Sequence, residues 1–394
     1  MDEKIVPENS SRKNNAFRIG AAVILVLAAA GAALFLVPQK NTAKIAFSGA
    51  SAAATVPPAT HLPAPPEVRG VYLVAATAGN ASKFDAIADA VKKKGVNALV
   101  VDLKNTDGSL AFVSDDVDLK TEAGKTTPLK DLAAFAAKAH ELGFYLIGRM
   151  PVFEDPNYAL GHPALALKTA GGKIWTDRNG LAWLDPDATA VWDYDAAIAR
   201  AAYAAGFDEI QFDYVRFATD GATSKIVFPI YDKTKETMRE VISRFFSYLG
   251  SELKEKGIPV SVDVFGFVTW HQNDLGIGQW YDDAVRSANY VSPMVYPSHY
   301  PTGVLKFKNP AEHPYEIISD SLMKGNEVIG AALAGDPSLR IATQRPWLQA
   351  FDMGAKYTPA MIMDEVRAAR DNKSSGFLFW NARNDYSNLP DLSQ

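Results

Sequence analysis

Asp213, Asp263 and Asp102 each lie near the C-terminal end of a short, otherwise apolar segment. Side chains alternate across a strand, so each segment sorts its residues onto two faces. In EIQFDYVRF (209–217), Ile210, Phe212 and Tyr214 face one way, and Gln211 and Asp213 the other. In PVSVDVFGF (259–267), Val260, Val262 and Val264 oppose Ser261 and Asp263, while in NALVVDLK (97–104) Asp102 and Lys104 share a face. One such aspartate reads as a helix cap or a loop ion pair. Three of them converging on one mouth read as a carboxylate-based site. Carboxylates held side by side raise one another's pKa, which is what a general acid requires.

The elements that must position these groups alternate along the chain. Strand-like runs occupy 68–75, 97–104, 144–150, 209–217, 259–267, 289–297, 341–349 and 376–382. Helical spacing separates most of them, for example in FDAIADAVKKKG, in AVWDYDAAIARAAYAAG, at 280–286, at 310–324 and at 359–372. Eight such alternations predict a (β/α)8 TIM barrel. A doubly wound sheet is the competitor, but no glycine-rich phosphate loop supports it. In a barrel the C-terminal ends of the strands form the active face.

Ahead of the barrel, residues 19–37 (IGAAVILVLAAAGAALFLV) carry no charge over 19 positions. At 1.5 Å per residue this run nearly spans a hydrocarbon core of roughly 30 Å. Arg12, Lys13 and Arg18 precede it, so residues 1–18 are expected in the cytoplasm, 19–37 as a transmembrane anchor or signal sequence, and the remainder outside the cytoplasm. Residues 38–66 shift to Ala, Ser, Thr and Pro and read as a flexible linker, which leaves 67–394 for the barrel. The chain has 394 residues, a formal net charge of −5 and no cysteine. The slight acidity gives no reason to expect nucleic acid, and the lack of cysteine excludes disulfides, thiolate metal sites and Cys nucleophiles.

The segments DEIQFDYVRF, VSVDVFGF, YVSPMVYPSHY and GFLFWN resemble a bacterial glycoside-hydrolase-like TIM-barrel family first catalogued as a domain of unknown function. The match runs from about Val68 to the C-terminus, and the Asp213-Tyr-Val-Arg216-Phe motif is its most specific part. Ala218 stands where the family pattern carries proline. The resemblance implies a barrel and glycan chemistry, with a polysaccharide or oligosaccharide as substrate.

Glycoside hydrolysis needs a proton donor to the leaving oxygen and a carboxylate at the anomeric carbon. Asp213 and Asp263 fit as that catalytic pair, because neighbouring strands lie about 4.8 Å apart. The sequence leaves open which of them is the nucleophile. Arg216 either holds a carboxylate ionised or clamps an acidic sugar, and Asp102, Lys104, Arg149 and Tyr214 are further candidates for substrate contact. Tyr296 and His299 after the sixth strand, and Trp380 and Asn381 at the end of the eighth, supply aromatic and polar contacts at the mouth. Trp183, Trp270 and Trp347 fall beside it. Neither a metal nor a cofactor is expected, since HExxH, a Walker loop and GxSxG are all missing. Two alternatives remain: a non-catalytic, membrane-tethered glycan-binding protein, and a chitinase-like hydrolase that uses the substrate's N-acetyl group as nucleophile.

Overall fold

The computed structural model describes residues 59–116, 119–122 and 124–393. The expected anchor at 19–37, the flank at 1–18 and linker residues 38–58 lie outside the described residues. Among the described residues, no helix is long and apolar enough to cross a membrane.

Among the described residues, nine parallel strands close into one barrel. They are β1 (Val68–Leu73), β2 (Ala98–Asp102), β3 (Tyr145–Pro151), β4 (Glu209–Asp213), β5 (Val260–Phe265), β6 (Tyr290–Met294), β7 (Thr343–Gln344), β8 (Trp347–Gln349) and β9 (Gly376–Trp380). Each of β1 to β5 pairs with the next, β5 pairs with β6, and β9 closes the ring against β1. Both β7 and β8 pair with β6, so together they form the seventh of eight staves. Pro346 sits between them and has no N–H to give to the ladder, which is why that stave is split. At the closure Gly376 has φ +118°, and a Cβ there would meet the Val68 carbonyl oxygen at 2.0 Å. Only glycine fits that approach.

Helices α1 (Ala81–Lys92), α2 (Leu132–Glu141), α3 (Thr189–Ala204), α4 (Met238–Glu252), α5 (Tyr281–Ser287), α6 (Pro314–Gly335) and α7 (Pro359–Asp371) follow the staves in turn. Local sequence sets their starts: Asn80, Asp131 and Thr358 each accept a backbone N–H three residues on, and Thr237 and Glu240 form a capping box. The helices cover the outer face of the sheet. In α4, Val241, Ile242, Phe245, Phe246 and Leu249 are buried, and Phe245 meets Phe153, Trp192 and Phe212. The outward register of Ile210, Phe212, Val260, Val262 and Val264 is as the alternation predicts, since all five join this outer core. A smaller apolar cluster that includes Tyr72, Val100, Ile147, Tyr296, Trp347 and Leu378 fills the barrel interior.

Three expectations need correction. Strand β2 stops at Asp102 and β4 at Asp213, short of Lys104 and Phe217, because the chain turns away there. Helix α6 begins and ends later than 310–324, since Pro314 suits a first helical turn and the apolar spacing continues to Gly335. Residues 59–66 of the expected linker are packed: the Leu62 N–H donates to Asp208 Oδ1 at 2.7 Å, and the His61 ring stacks on Tyr203 at 3.9 Å.

Candidate active site

The barrel mouth holds a cleft lined by Arg149, Asp213, Tyr214, Arg216, Phe265, Met294, Tyr296, Trp347 and Trp380. All but Trp347, which opens β8, lie near or just past the C-terminal ends of β3, β4, β5, β6 and β9. The sequence names Arg149, Asp213, Tyr214, Arg216, Tyr296 and Trp380 among its candidates, and the structure brings these six together.

Asp213 is the best-held carboxylate in the cleft. Its Oδ2 accepts from Arg149 Nη2 at 2.5 Å and from Arg149 Nε at 3.2 Å. Its Oδ1 accepts from the Tyr214 backbone N–H at 2.6 Å. Arg149 spans two strands, since its Nη1 also donates to Asp102 Oδ1 at 2.6 Å. Asp102 in turn accepts the Tyr72 hydroxyl. Burial pushes Asp102 above its ordinary pKa, and the Arg149 guanidinium opposes that push. Asp102 therefore stands behind Arg149 and outside the cleft lining. The Tyr72 and Trp380 rings stack at 4.0 Å, and the Arg149 guanidinium lies 5.1 Å from the Trp380 ring.

Tyr214 breaks the alternation expected of it. Its φ of +55° puts it in the left-handed region directly after β4, so its ring joins the cleft lining with Asp213. Arg216 follows, with its guanidinium 4.7 Å from the Trp183 ring, 5.0 Å from Phe265 and 5.2 Å from Tyr214.

Asp263 does not share the cleft with Asp213. The register pairs Gln211 with Ser261 and Phe212 with Val262, so Asp263 lies one step further along, beside Asp213. It is nonetheless fully buried, with Oδ1 accepting from Trp347 Nε1 at 2.8 Å and Oδ2 without a partner. Burial, reinforced by the charge of Asp213, raises its pKa far above the carboxylate range. The Trp347 indole both lines the cleft and bonds this acid, which lies outside the lining.

Three more candidates fall elsewhere. Lys104 is buried against Asp155 at 2.8 Å and Asp195 of α3 at 2.9 Å. His299 is buried between Tyr296 and Phe351, and burial lowers its pKa to about 4. Asn381 donates to the carbonyls of Ala350 and Asp385 and lines a second, more polar pocket with Asp352 and Arg383. Of the tryptophans expected beside the mouth, Trp183 flanks Arg216 and Trp347 forms part of the cleft wall. Trp270 points to α6, where its indole N–H donates to Ser321.

Sequence reading missed Glu154, which follows β3. It is half-buried, and desolvation raises its pKa to about 8. The charge of Arg216 opposes that rise, while Asp177, Asp213 and Asp220 add to it. The only sequence signal was position, a carboxylate three residues past the end of a barrel strand. The cleft thus offers an arginine-bound carboxylate, and Glu154, outside the lining but within electrostatic reach of Asp213 and Arg216, is an acid whose pKa burial raises to about 8. That division suits transfer of a proton to a leaving oxygen while negative charge faces a developing cation.

Residues 70–386 match a family model described as "Putative glycosyl hydrolase domain". Among solved structures, the PgaB (BpsB) glycoside hydrolase domain from Bordetella bronchiseptica is similar over 80% of this chain and 94% of its own, with 12% identity and a TM-score of 0.55. The hyperthermostable endo-1,4-beta-D-mannanase from Thermotoga petrophila RKU-1 is similar over 83% and 93%, with 14% identity and a TM-score of 0.51. A hypothetical protein from Ruminiclostridium thermocellum ATCC 27405 shares 28% identity over 52% of this chain and 98% of its own, with a TM-score of 0.44. The first two likenesses show a shared fold. No curated protein matches.

Proposed function

Because the chain belongs to the family described as "Putative glycosyl hydrolase domain", we propose that its barrel hydrolyses a glycosidic bond, with Asp213 facing the anomeric carbon and Glu154 as proton donor. The observation that carries this reading is the double grip on Asp213, from the Arg149 fork and from the Tyr214 N–H. A carboxylate so held is fixed in place to face the oxocarbenium-like charge as it develops. Trp380, half-buried, supplies an apolar face for the sugar ring, with Trp347 and Tyr296 buried in the wall behind it. Glu154 is preferred to Asp263 as the second carboxyl group because it is half-buried and within electrostatic reach of Asp213 and Arg216, whereas Asp263 is fully buried; neither is among the residues that line the cleft.

The withdrawal of Asp263 is also the one observation that favours a non-catalytic, glycan-binding protein. Substitution separates the two readings. Purified protein is screened for release of reducing ends from polysaccharides, and the active case is repeated with Asp213→Asn and Glu154→Gln. Hydrolysis lost by several orders of magnitude in both variants, with binding kept, supports the enzyme. Glycan binding without any hydrolysis by the wild type supports the binding module.

The same proposal sets the barrel outside the cytoplasm on a membrane tether. It is supported by the apolar run at 19–37 and the basic residues ahead of it.

A further inference from the structure

The cleft contains two arginines, and only one of them is neutralised. Arg149 is bound by two carboxylates, Asp102 and Asp213. Arg216 is just as buried, yet it pairs with no carboxylate among the described residues. Its Nη1 donates to the Phe217 carbonyl at 3.2 Å and to Thr219 Oγ1 at 2.9 Å, which fixes one end of the guanidinium. Trp183, Phe265 and Tyr214 flank the charged group, and no protein acceptor among the described residues takes Nε or Nη2. Burying a charge without an ionic partner is costly, so a fold gains nothing by holding a bare guanidinium in this way.

Resting on the hydrolase reading, we propose that Arg216 is the recognition point for a carboxylate on the substrate, so that the glycan contains uronic-acid residues at or next to the bond that is cut. The Nε/Nη2 edge of a guanidinium matches a carboxylate in two parallel hydrogen bonds. The neighbours argue for a single negative charge. Asp213, Asp177 and Asp220 act on the same region as Arg216, and a phosphate dianion would meet more of their repulsion. Glu154, also near Arg216, has its pKa raised to about 8 by burial, so it makes little demand on the guanidinium at neutral pH. The flanking rings hold the fork in one orientation before the ligand arrives, which lowers the entropy lost on binding.

The test uses the full chain and two matched sets of probes. These are oligosaccharides of galacturonic and glucuronic acid, and the same oligosaccharides after reduction of their carboxyl groups to alcohols. Binding is measured by calorimetry on the Asp213→Asn variant, which removes turnover, and hydrolysis on the wild type. The acidic member of at least one pair is expected to bind about ten- to a hundredfold more tightly than its reduced counterpart. Arg216→Gln is expected to erase that difference, and Arg216→Lys to restore only part of it. Should Arg216→Gln fail to fold, the comparison of acidic and reduced probes on the intact arginine still decides. Equal binding of the two members of every pair, or no binding of any acidic probe, overturns the proposal. Tight carboxylate binding without cleavage by the wild type overturns the hydrolase reading alone, and cleavage of neutral glycans with no carboxylate preference overturns this one alone.

Discussion

Glu154 owes its raised pKa first to burial, so its chemistry and its cost to stability share one cause. An unfolded glutamate titrates near 4.5 and the folded one near 8, so between those values the native state binds the extra proton. Stability contributed by that proton is complete below about pH 4.5 and is lost as pH rises toward 8. Glutamine cannot titrate. In a pH series of thermal melts, Glu154→Gln should therefore gain on the wild type between pH 4.5 and 8 and then level off. A constant difference across that window would show that Glu154 is not the buried acid described. In catalysis the same variant should lose about two to four orders of magnitude in kcat/KM. The fall in activity on the basic side, centred near pH 8 in the wild type, should disappear with it.

The two aspartates of the expected pair should separate in their own way. Burial pushes the Asp263 pKa well above its ordinary value, and an asparagine there still offers an oxygen to Trp347 Nε1. Asp263→Asn should stay within about 1 kcal/mol of the wild type in urea denaturation and keep its activity. Asp213→Asn leaves Arg149 with Asp102 alone and should cost about 1–3 kcal/mol while abolishing hydrolysis. At the scale of elements, the barrel was legible because eight short apolar runs recur with helical spacing between them. The register of β4 and β5 was legible too, because period-2 alternation holds wherever a strand is a strand. It failed where strands stop. Lys104 lies two residues past Asp102 and was assigned its face, but β2 has ended and the lysine turns outward to α3. Tyr214 escaped its outward assignment through a positive φ that no periodicity encodes. Glu154 lies in a loop, where there is no period to read. The displaced Lys104 has a structural task instead. With Asp155 and Asp195 it ties the segment after β3 to α3, and Asp155 is the immediate neighbour of Glu154. Lys104→Met leaves two buried carboxylates without their cation and should cost about 3–5 kcal/mol. Activity should fall further than that instability explains, because the segment bearing Glu154 loses its tie. A loss under about 1 kcal/mol in urea denaturation would show that the triad carries no load.

For the whole molecule, the two ends of the barrel have different partners. The mouth collects the cleft at the C-terminal ends of the strands, while residues 59–66 enter at the opposite end, ahead of β1. There Leu62 and Ala64 pack against the interior cluster that includes Val68, Ala98 and Tyr145. Buried Asp208 fastens this entry, accepting the N–H groups of Leu62 and Leu146 and contacting His140 Nε2 of α2 at 2.9 Å. The entry segment and the cleft therefore lie at opposite ends of the barrel. Limited proteolysis followed by mass spectrometry should release a folded fragment whose first residue lies at or before position 59. Cleavage inside 59–66 would show that the entry segment is not fastened. The role of Asp208 can be read in the same experiment. Asp208→Ala removes the acceptor for both N–H groups, so the cleavage boundary should move into 59–66 while Asp213, at the other end of β4, keeps its partners. Hydrolysis by that variant should then survive at temperatures below its lowered melting point, and its loss there would mean that the base and the mouth are coupled.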